Sequence, residues 1–455
     1  MLTDIFLVPV KDKILLHAPL HGLSAIINQS GAQQLQAAFN DEKHPLPEAY
    51  QALFSILREK IPPPQPRKGA LKEPLFLGLL PTRDCNMHCR YCDFPVSKAD
   101  PLRVMTRDQC QEAIDAYFNL LINNGYQHAA IHFFGGEPFV APELVFFAAE
   151  YARGQAQKLD LPLHLEASSN GLFEKAFASW ISEMFDCIVL SLDGKERIQN
   201  YQRPAKGSRD SFNTVIETAK IISDSPCKLI LRSCITRDSL PEMQETVEWM
   251  VDHFIPETIC LEPMSESDQS MRNQLQTPDP WQFSKMFLQA EIFLKAHGIN
   301  CMLSTADLSL TTVSSCPVGH DALIVSPNGE INACYLPKTS WLSKGKDMHL
   351  GRIKDGKLDI HQINLDRVRS YELGNQPLCK NCFCRYHCAG GCHVNHPSDG
   401  APGRFDAICI RTRLVTLGKL LQRVHQETLL IDWLNDDRAL EKSAMWQNDR
   451  IETHL

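Results

Sequence analysis

The 455-residue sequence predicts an α/β protein. Its centre is a partial (β/α)6 TIM-like barrel, set between a small N-terminal α+β unit and a C-terminal cysteine-rich module. Three observations carry this. Between about residues 75 and 298, short apolar runs alternate with amphipathic helical stretches, as in parallel strands joined by crossovers. The run Ile61-Pro62-Pro63-Pro64-Gln65-Pro66-Arg67 cannot continue a helix and forms a stiff, extended linker. Beyond about residue 300 the alternation stops and cysteines cluster, so metal must supply what a thin core lacks.

The elements follow in order. Strand-like runs at 5–10, 13–17 and 23–28, then helical patterns near 31–39 and 47–60, make up the first unit, residues 1–66. Residues 67–300 form the barrel, with strands expected over 75–80, 128–134, 163–167, 187–192, 228–235 and 258–262. Chemistry in such barrels sits at the carboxyl ends of strands. The unusual motifs of this region all fall there. Residues 301–412 form the cysteine-rich module, and 413–455 a helix followed by a charged tail with a fraying end.

With 44% hydrophobic and 22% charged residues the chain is globular. A formal charge of -8, with no stretch dominated by Lys or Arg, argues against nucleic acid or a membrane surface as partner. A small or peptidic substrate fits better. Asp4, Lys11, Asp12 and Lys13 interrupt any signal-peptide core, and no window offers the roughly 18 apolar residues of a membrane span. The expected compartment is the cytoplasm. Seventeen cysteines, many at short spacing, then point to metal or redox chemistry rather than disulfides.

Cys85, Cys89 and Cys92 form a C-x3-C-x2-C loop just past the first barrel strand. Chance would produce such a triplet in roughly 2% of sequences of this composition. Three thiolates can hold three irons of a cubane cluster and leave the fourth open to a substrate. With Tyr91 before the last cysteine, the loop resembles the signature of the radical S-adenosylmethionine (SAM) superfamily. The resemblance implies that the open iron chelates SAM and that SAM is cleaved to a 5'-deoxyadenosyl radical, which abstracts hydrogen. A zinc site with a distant fourth ligand is the competing reading.

Gly135, Gly136 and Glu137 end the second strand, where the family motif binds the methionine amino group. A glycine pair also lets backbone approach a ligand without Cβ interference. Ser168, Ser169, Asn170 and Gly171 after the third strand, and Ser191, Asp193 and Gly194 after the fourth, could hydrogen-bond a ribose or simply form turns. Arg203 and Arg232 each suit the SAM carboxylate, Arg232 having the better position at a strand end. Glu262 ends the sixth strand.

Farther on, Cys379, Cys382, Cys388 and Cys392 read C-x2-C-x5-C-x3-C, followed by Cys409. Cys316 and Cys334 flank Gly329 upstream. These seven positions resemble the SPASM extension of radical SAM proteins, which modify peptides and proteins and bind two auxiliary 4Fe-4S clusters. The resemblance implies one cluster on Cys379, Cys382, Cys388 and Cys409, and another on Cys316, Cys334 and Cys392. With the first loop this makes three 4Fe-4S clusters, plus SAM. Sulfatase-maturing relatives place one more cysteine where this chain has Leu310. The Cys316 cluster therefore either keeps an open iron or recruits Cys301 or Cys384. Cys110, Cys187, Cys227, Cys234 and Cys260 are expected to be small hydrophobes of helix and strand faces.

The N-terminal unit resembles the winged-helix-like element of peptide maturases, in which a leader peptide adds a strand to a sheet edge. A packing cap over the barrel is the alternative. The resemblance implies a maturase of a ribosomal peptide that forms a thioether or carbon-carbon crosslink. Its partners would be a precursor peptide or protein and an external one-electron reductant of flavodoxin or ferredoxin type. A formylglycine-generating sulfatase maturase is the second reading, and an iron-sulfur electron-transfer protein the third.

Overall fold

The computed structural model describes every residue except 1, 42, 73, 95–102, 208, 317–320, 372, 374–375, 397–404, 448–449 and 453–455. The last of these segments contains the expected fraying end. Apolar side chains on both faces of residues 5–27 drive an antiparallel sheet of β1 (Leu2–Val10), β2 (Lys13–Ala18) and β3 (Leu23–Ile27), with Phe6, Val8, Val10 and Leu15 packed into the barrel core. Helices α1 (Gln29–Asn40) and α2 (Glu48–Leu57) cover it, and Asn28 caps α1 by accepting from Gly31 N. Ile5, Leu16, Leu35 and Phe39 form a core separate from that of the barrel. The proline-rich linker carries no regular element.

The barrel follows as β4 (Leu77–Leu79), α3 (Arg107–Asn123), β5 (Ala129–Phe133), α4 (Pro142–Lys158), β6 (Leu163–Ser169), α5 (Lys175–Met184) and β7 (Cys187–Ser191). It continues through α6 (Glu196–Gln202), α7 (Phe212–Ser223), β8 (Lys228–Ile235), α8 (Met243–His253), β9 (Thr258–Pro263), α9 (Asp268–Arg272), α10 (Pro280–Ala296) and β10 (Asn300–Met302). All six expected strands form, in parallel sequence order. A seventh, β10, pairs parallel with β9 and straddles the expected boundary at residue 300. Three residues are too few for a periodic signal. On β8, Leu229, Leu231 and Ile235 pack against the helices, while Arg232 and Cys234 face the concave interior.

The cysteine-rich module is not detached from this sheet. Strand β11 (Leu323–Val325) pairs parallel with β4 and carries β12 (Glu330–Asn332), β13 (His349–Lys354) and β14 (Lys357–Ile360) as antiparallel extensions, giving one sheet of eleven strands. Between β12 and β13 lies α11 (Lys338–Leu342); α12 (Gln362–Arg369) and α13 (Arg385–Cys388) follow β14. Gly329, at φ 76°, makes the β11–β12 turn in the left-handed region that favours glycine.

The carboxyl-terminal stretch corrects the expectation of one helix and a tail. Helix α14 (Ala407–Arg423) spans the expected boundary at 412, and α15 (Glu427–Leu434), α16 (Asp437–Ala444) and β15 (Arg450–Glu452) come after it. Strand β15 joins the outer edge of β1, with Ile451 fully buried in the N-terminal core. The two ends of the chain therefore close one four-stranded sheet. No helix among the described residues is long and apolar enough to cross a membrane.

Candidate active site

The three-cysteine loop leaves β4 and is pinned from several sides. His88 N donates to Pro204 O at 2.8 Å, and Arg90 N to Gln202 O at 2.9 Å, beside the end of α6. Asn273 Nδ2 holds Arg90 O at 3.0 Å, and Ser267 Oγ holds Tyr91 O at 3.1 Å. Cys85, Cys89 and Cys92 lie close enough to raise one another's pKa values, though burial is the main cause for each. Cys85 and Cys89 are pushed up to about 11. The Arg203 guanidinium opposes the rise at all three. Without metal these thiols stay protonated at neutral pH, and a metal must displace those protons to bind.

The glycine pair has a specific physical cause. A Cβ at Gly136 would lie 2.3 Å from Asp84 O, and one at Gly135, where φ is 140°, 2.4 Å from Thr82 O. The pair lets the end of β5 pack directly on the cysteine loop, with Glu137 N donating to Asp84 O at 2.8 Å. Glu137 faces the interior of the protein. Its carboxylate accepts from Phe139 N at 3.2 Å, Ser169 Oγ at 2.9 Å and Asn170 N at 2.6 Å. Burial raises its pKa to about 7 against those donors. Asn170 braces the same loop, its Nδ2 lying 2.8 Å from Asn86 Oδ1 and 3.6 Å from Cys85 Sγ.

Asp193 is also engaged by protein groups. It accepts from Tyr91 Oη and Gln202 Nε2, both at 2.7 Å, and from Cys234 N at 3.1 Å. Arg203 is buried and donates to Tyr91 Oη at 2.7 Å, while its Nε has no partner. Burial works against its charge, but Cys89, Tyr91 and Asp193 outweigh it and raise its pKa well above the usual value. Ser168 on β6 and Ser191 on β7 are half-buried, and Ser191 stands in register with Arg232. Arg232 is accessible in the barrel interior near Cys260 and Glu262. Thus Arg203 stands beside the cysteine loop, whereas Arg232, the better-placed arginine by sequence, lies deeper along β8.

Cys110, Cys187, Cys227 and Cys260 are buried, but Cys234 is half-buried on the interior face of β8, close to Asp193, Arg232 and Cys89. Its strand pattern concealed that orientation. The roles of Tyr91 and Gln202 had no spacing signal either.

The module assembles two further sulfur groups. Cys379 ends a short 3-10 turn, Cys388 ends α13 and Cys409 begins α14 under the cap of Asp406. Cys409 lies near Cys379, Cys382 and Cys388, each neighbour adding to the strong upward shift that burial gives its pKa. Three consecutive left-handed residues, Ala389, Gly390 and Gly391, turn the chain from Cys388 to Cys392. Cys392 is the cysteine beside Cys334. Cys384 neighbours Cys382, and Cys301 neighbours Glu291 and Lys419. His396, Asp406 and Cys409 converge as well: His396 Nε2 is 3.3 Å from Asp406 Oδ2 and 3.4 Å from Cys409 Sγ. A small cleft lined by Arg83, Phe94, Asn332, Cys334, Tyr335 and Trp341 joins the first cysteine loop to the end of β12.

Soft sulfur donors on a loop beside a fixed cation fit an iron-sulfur cluster better than a hard metal. Residues 79–250, the stretch that holds the cysteine loop and most of the parallel barrel, match the sequence model of the Radical SAM superfamily. The chain is similar to the cysteine-type anaerobic sulfatase-maturating enzyme of Clostridium perfringens, 25% identical over 342 residues, 70% of this chain and 89% of that one. The serine-type enzyme of Klebsiella aerogenes is 22% identical over 334 residues, 68% of this chain and 78% of that one. Among solved structures, native anSMEcpe with bound AdoMet superposes with a TM-score of 0.57 at 18% identity, over 79% of this chain and 99% of that one. Streptococcus suis SuiB bound to S-adenosylmethionine gives 0.54 at 16% identity, over 86% and 95%. These two likenesses concern the fold.

Proposed function

We propose that this chain is a cytoplasmic radical SAM maturase of a ribosomally made peptide, with Cys85, Cys89 and Cys92 holding the SAM-cleaving 4Fe-4S cluster. The observation that carries the reading is the buried three-thiol loop beside Arg203 at the carboxyl ends of the barrel strands. The chemistry supplied there is reductive cleavage of SAM to a 5'-deoxyadenosyl radical, started by an electron from a flavodoxin- or ferredoxin-type reductant.

The chain's own residues divide the remaining work. Glu137, Asn170 and the glycine pair hold the loop, so they act on SAM through its position. Tyr91 and Asp193 orient Arg203, whose fixed positive charge beside the cysteine loop would favour an anionic group such as the SAM carboxylate. Ser168 and Ser191 offer hydroxyls on the interior face to a ribose. Arg232 and Glu262 place opposite charges deeper in the barrel, where a peptide side chain would lie.

Cys379, Cys382, Cys388 and Cys409 would hold one auxiliary cluster, and Cys316, Cys334 and Cys392 another. The proximity of Cys409 to its three partners and of Cys334 to Cys392 supports this division. A thioether or carbon-carbon crosslink leaves one electron to be removed after hydrogen abstraction, and the auxiliary clusters would accept it. In the N-terminal sheet β15 covers one edge, while β3 has no strand on its outer side among the described residues. That open edge supports leader docking by strand addition.

Sulfatase maturation is a second reading, favoured by the two curated relatives named above. One experiment separates the two. The anaerobically reconstituted enzyme is offered a precursor peptide encoded beside its own gene and a sulfatase-derived peptide, each with SAM and dithionite. About twelve irons per chain and 5'-deoxyadenosine are expected, with a pair of hydrogens lost from the precursor. Formylglycine in the sulfatase peptide would replace the crosslink reading, and intact SAM would end both.

A further inference from the structure

Arg413 on α14 is almost fully buried, at 1% exposure. Its Nε donates to Ala444 O at 2.6 Å, its Nη2 to Trp446 O, and its Nη1 to Cys382 Sγ at 3.0 Å. The guanidinium lies over two aromatic rings, 4.4 Å from the Phe383 centroid and 4.1 Å from that of Phe405. No carboxylate of the described residues pairs with it. A guanidinium cannot shed its proton, and an uncompensated buried charge costs several kcal/mol. The group able to supply the missing negative charge is the Cys382 sulfur, once it is a metal-bound thiolate.

We propose that Arg413 is a positioning residue that raises the reduction potential of the auxiliary cluster held by Cys379, Cys382, Cys388 and Cys409. The inference rests on assigning those four cysteines to one cluster. Reduction adds one electron and one negative charge to that cluster, which reoxidation passes to an external one-electron acceptor of flavodoxin or ferredoxin type. A fixed cation bonded to a ligand sulfur in a dry site stabilises the more negative state more than the less negative one. Solvent cannot screen the effect, because two aromatic rings and two backbone carbonyls occupy the rest of the guanidinium. Arg413 therefore biases this cluster toward accepting an electron.

The test uses the full-length, anaerobically reconstituted enzyme in a potentiometric titration followed by electron paramagnetic resonance, with iron per chain measured in parallel. In R413M one midpoint falls by about 59 mV or more, a tenfold change in a one-electron equilibrium. The other two midpoints and the iron content stay in place, a pattern that a packing defect does not produce. An unchanged midpoint at full iron content overturns the proposal. If R413M sheds iron, R413Q, which is shorter and uncharged but keeps an N–H donor, carries the test; iron loss there too shows a purely structural role and overturns it. Should C382A and C409A retain the wild-type iron and all midpoints, the four-cysteine assignment fails, independently of Arg413.

Discussion

Arg203 donates to the Tyr91 hydroxyl at 2.7 Å, and Tyr91 donates onward to Asp193 at the same distance. Tyr91 precedes Cys92, so this relay ties the cysteine loop to the end of β7. Arg203 also lowers the proton affinity of Cys85, Cys89 and Cys92 against the larger effect of burial. Metal uptake requires those protons to leave. In R203M, iron uptake at this loop should shift to higher pH, and Y91F should weaken the loop by about 1–3 kcal/mol by leaving buried partners short of a hydrogen bond. Iron per chain measured across pH checks the first expectation. A profile identical to wild type would remove Arg203 from the site.

Gly136 and Gly154 make a matched pair of substitutions. A Cβ at Gly136 meets two backbone carbonyls, at 2.3 and 2.5 Å, and backbone cannot swing aside as a side chain can. At Gly154, inside α4, it meets nothing within 4 Å. G136A should displace residues 83–84 and cost about four irons per chain. G154A should stabilise the protein by about 0.5–1 kcal/mol through helix propensity. Full iron content and SAM cleavage in G136A would refute the close packing as a requirement.

His17 on β2 and His387 on α13 face each other across the junction between the N-terminal sheet and the cysteine module, ring centroids 5.3 Å apart. Ser24 Oγ and Leu310 O satisfy one nitrogen of each, and both Nε2 atoms lack partners. Burial lowers both pKa values from the ordinary 6.5; Arg423 reinforces this at both, His387 does so at His17, and Asp307 opposes it at His387. The folded state therefore holds these rings neutral where the unfolded chain would protonate them. Stability is complete above about pH 6.5 and declines below it, by up to about 1.4 kcal/mol per pH unit for each ring. Denaturation curves between about pH 5 and 7 should show this slope, and H387N should reduce it. An equal slope in the variant would assign the effect elsewhere.

Ile451 joins the N-terminal core from the opposite end of the sequence. Strand β15 pairs with β1, and Trp446 Nε1 and Ser443 Oγ donate to Leu7 O and Pro9 O at 3.0 and 2.7 Å. I451A should cost about 2–5 kcal/mol, the usual range for a large aliphatic truncation in a core. The loss should fall mainly on residues 2–57. Limited proteolysis followed by mass spectrometry would locate it, and preferential cleavage within the barrel would contradict the expectation.

The sequence revealed most where chemistry imposes spacing. Six barrel strands and the three-cysteine loop were legible because alternation and short cysteine intervals are local. The function of Gly135 and Gly136 was legible only in kind: the backbone they admit belongs to the cysteine loop, more than fifty positions away in sequence. Strands β10, β11 and β15, three residues each, gave no pattern, and long-range pairing defines them. Glu137 and Asp193 were expected to meet a ligand; that buried donors from distant elements also engage both carboxylates was beyond any local pattern. Arg413 carried no signal at all, since its partner Cys382 lies on a separate segment.

Cys384 is the sharpest test of how the sulfur groups divide. It is buried inside Cys382-Phe383-Cys384, and its thiol donates to the Cys382 sulfur, so that Cys382 is the more acidic of the two. The Arg413 guanidinium, 3.0 Å from Cys382 Sγ, favours ligation through Cys382 over Cys384. The thiolate of the pair is the one that faces Arg413. C384A should therefore keep all its iron, losing one hydrogen bond to a ligand sulfur, and should lower one midpoint slightly. C382A should lose about four irons per chain. The reverse pattern, with iron lost in C384A and retained in C382A, would exchange the two assignments and remove the sulfur that Arg413 contacts from the cluster.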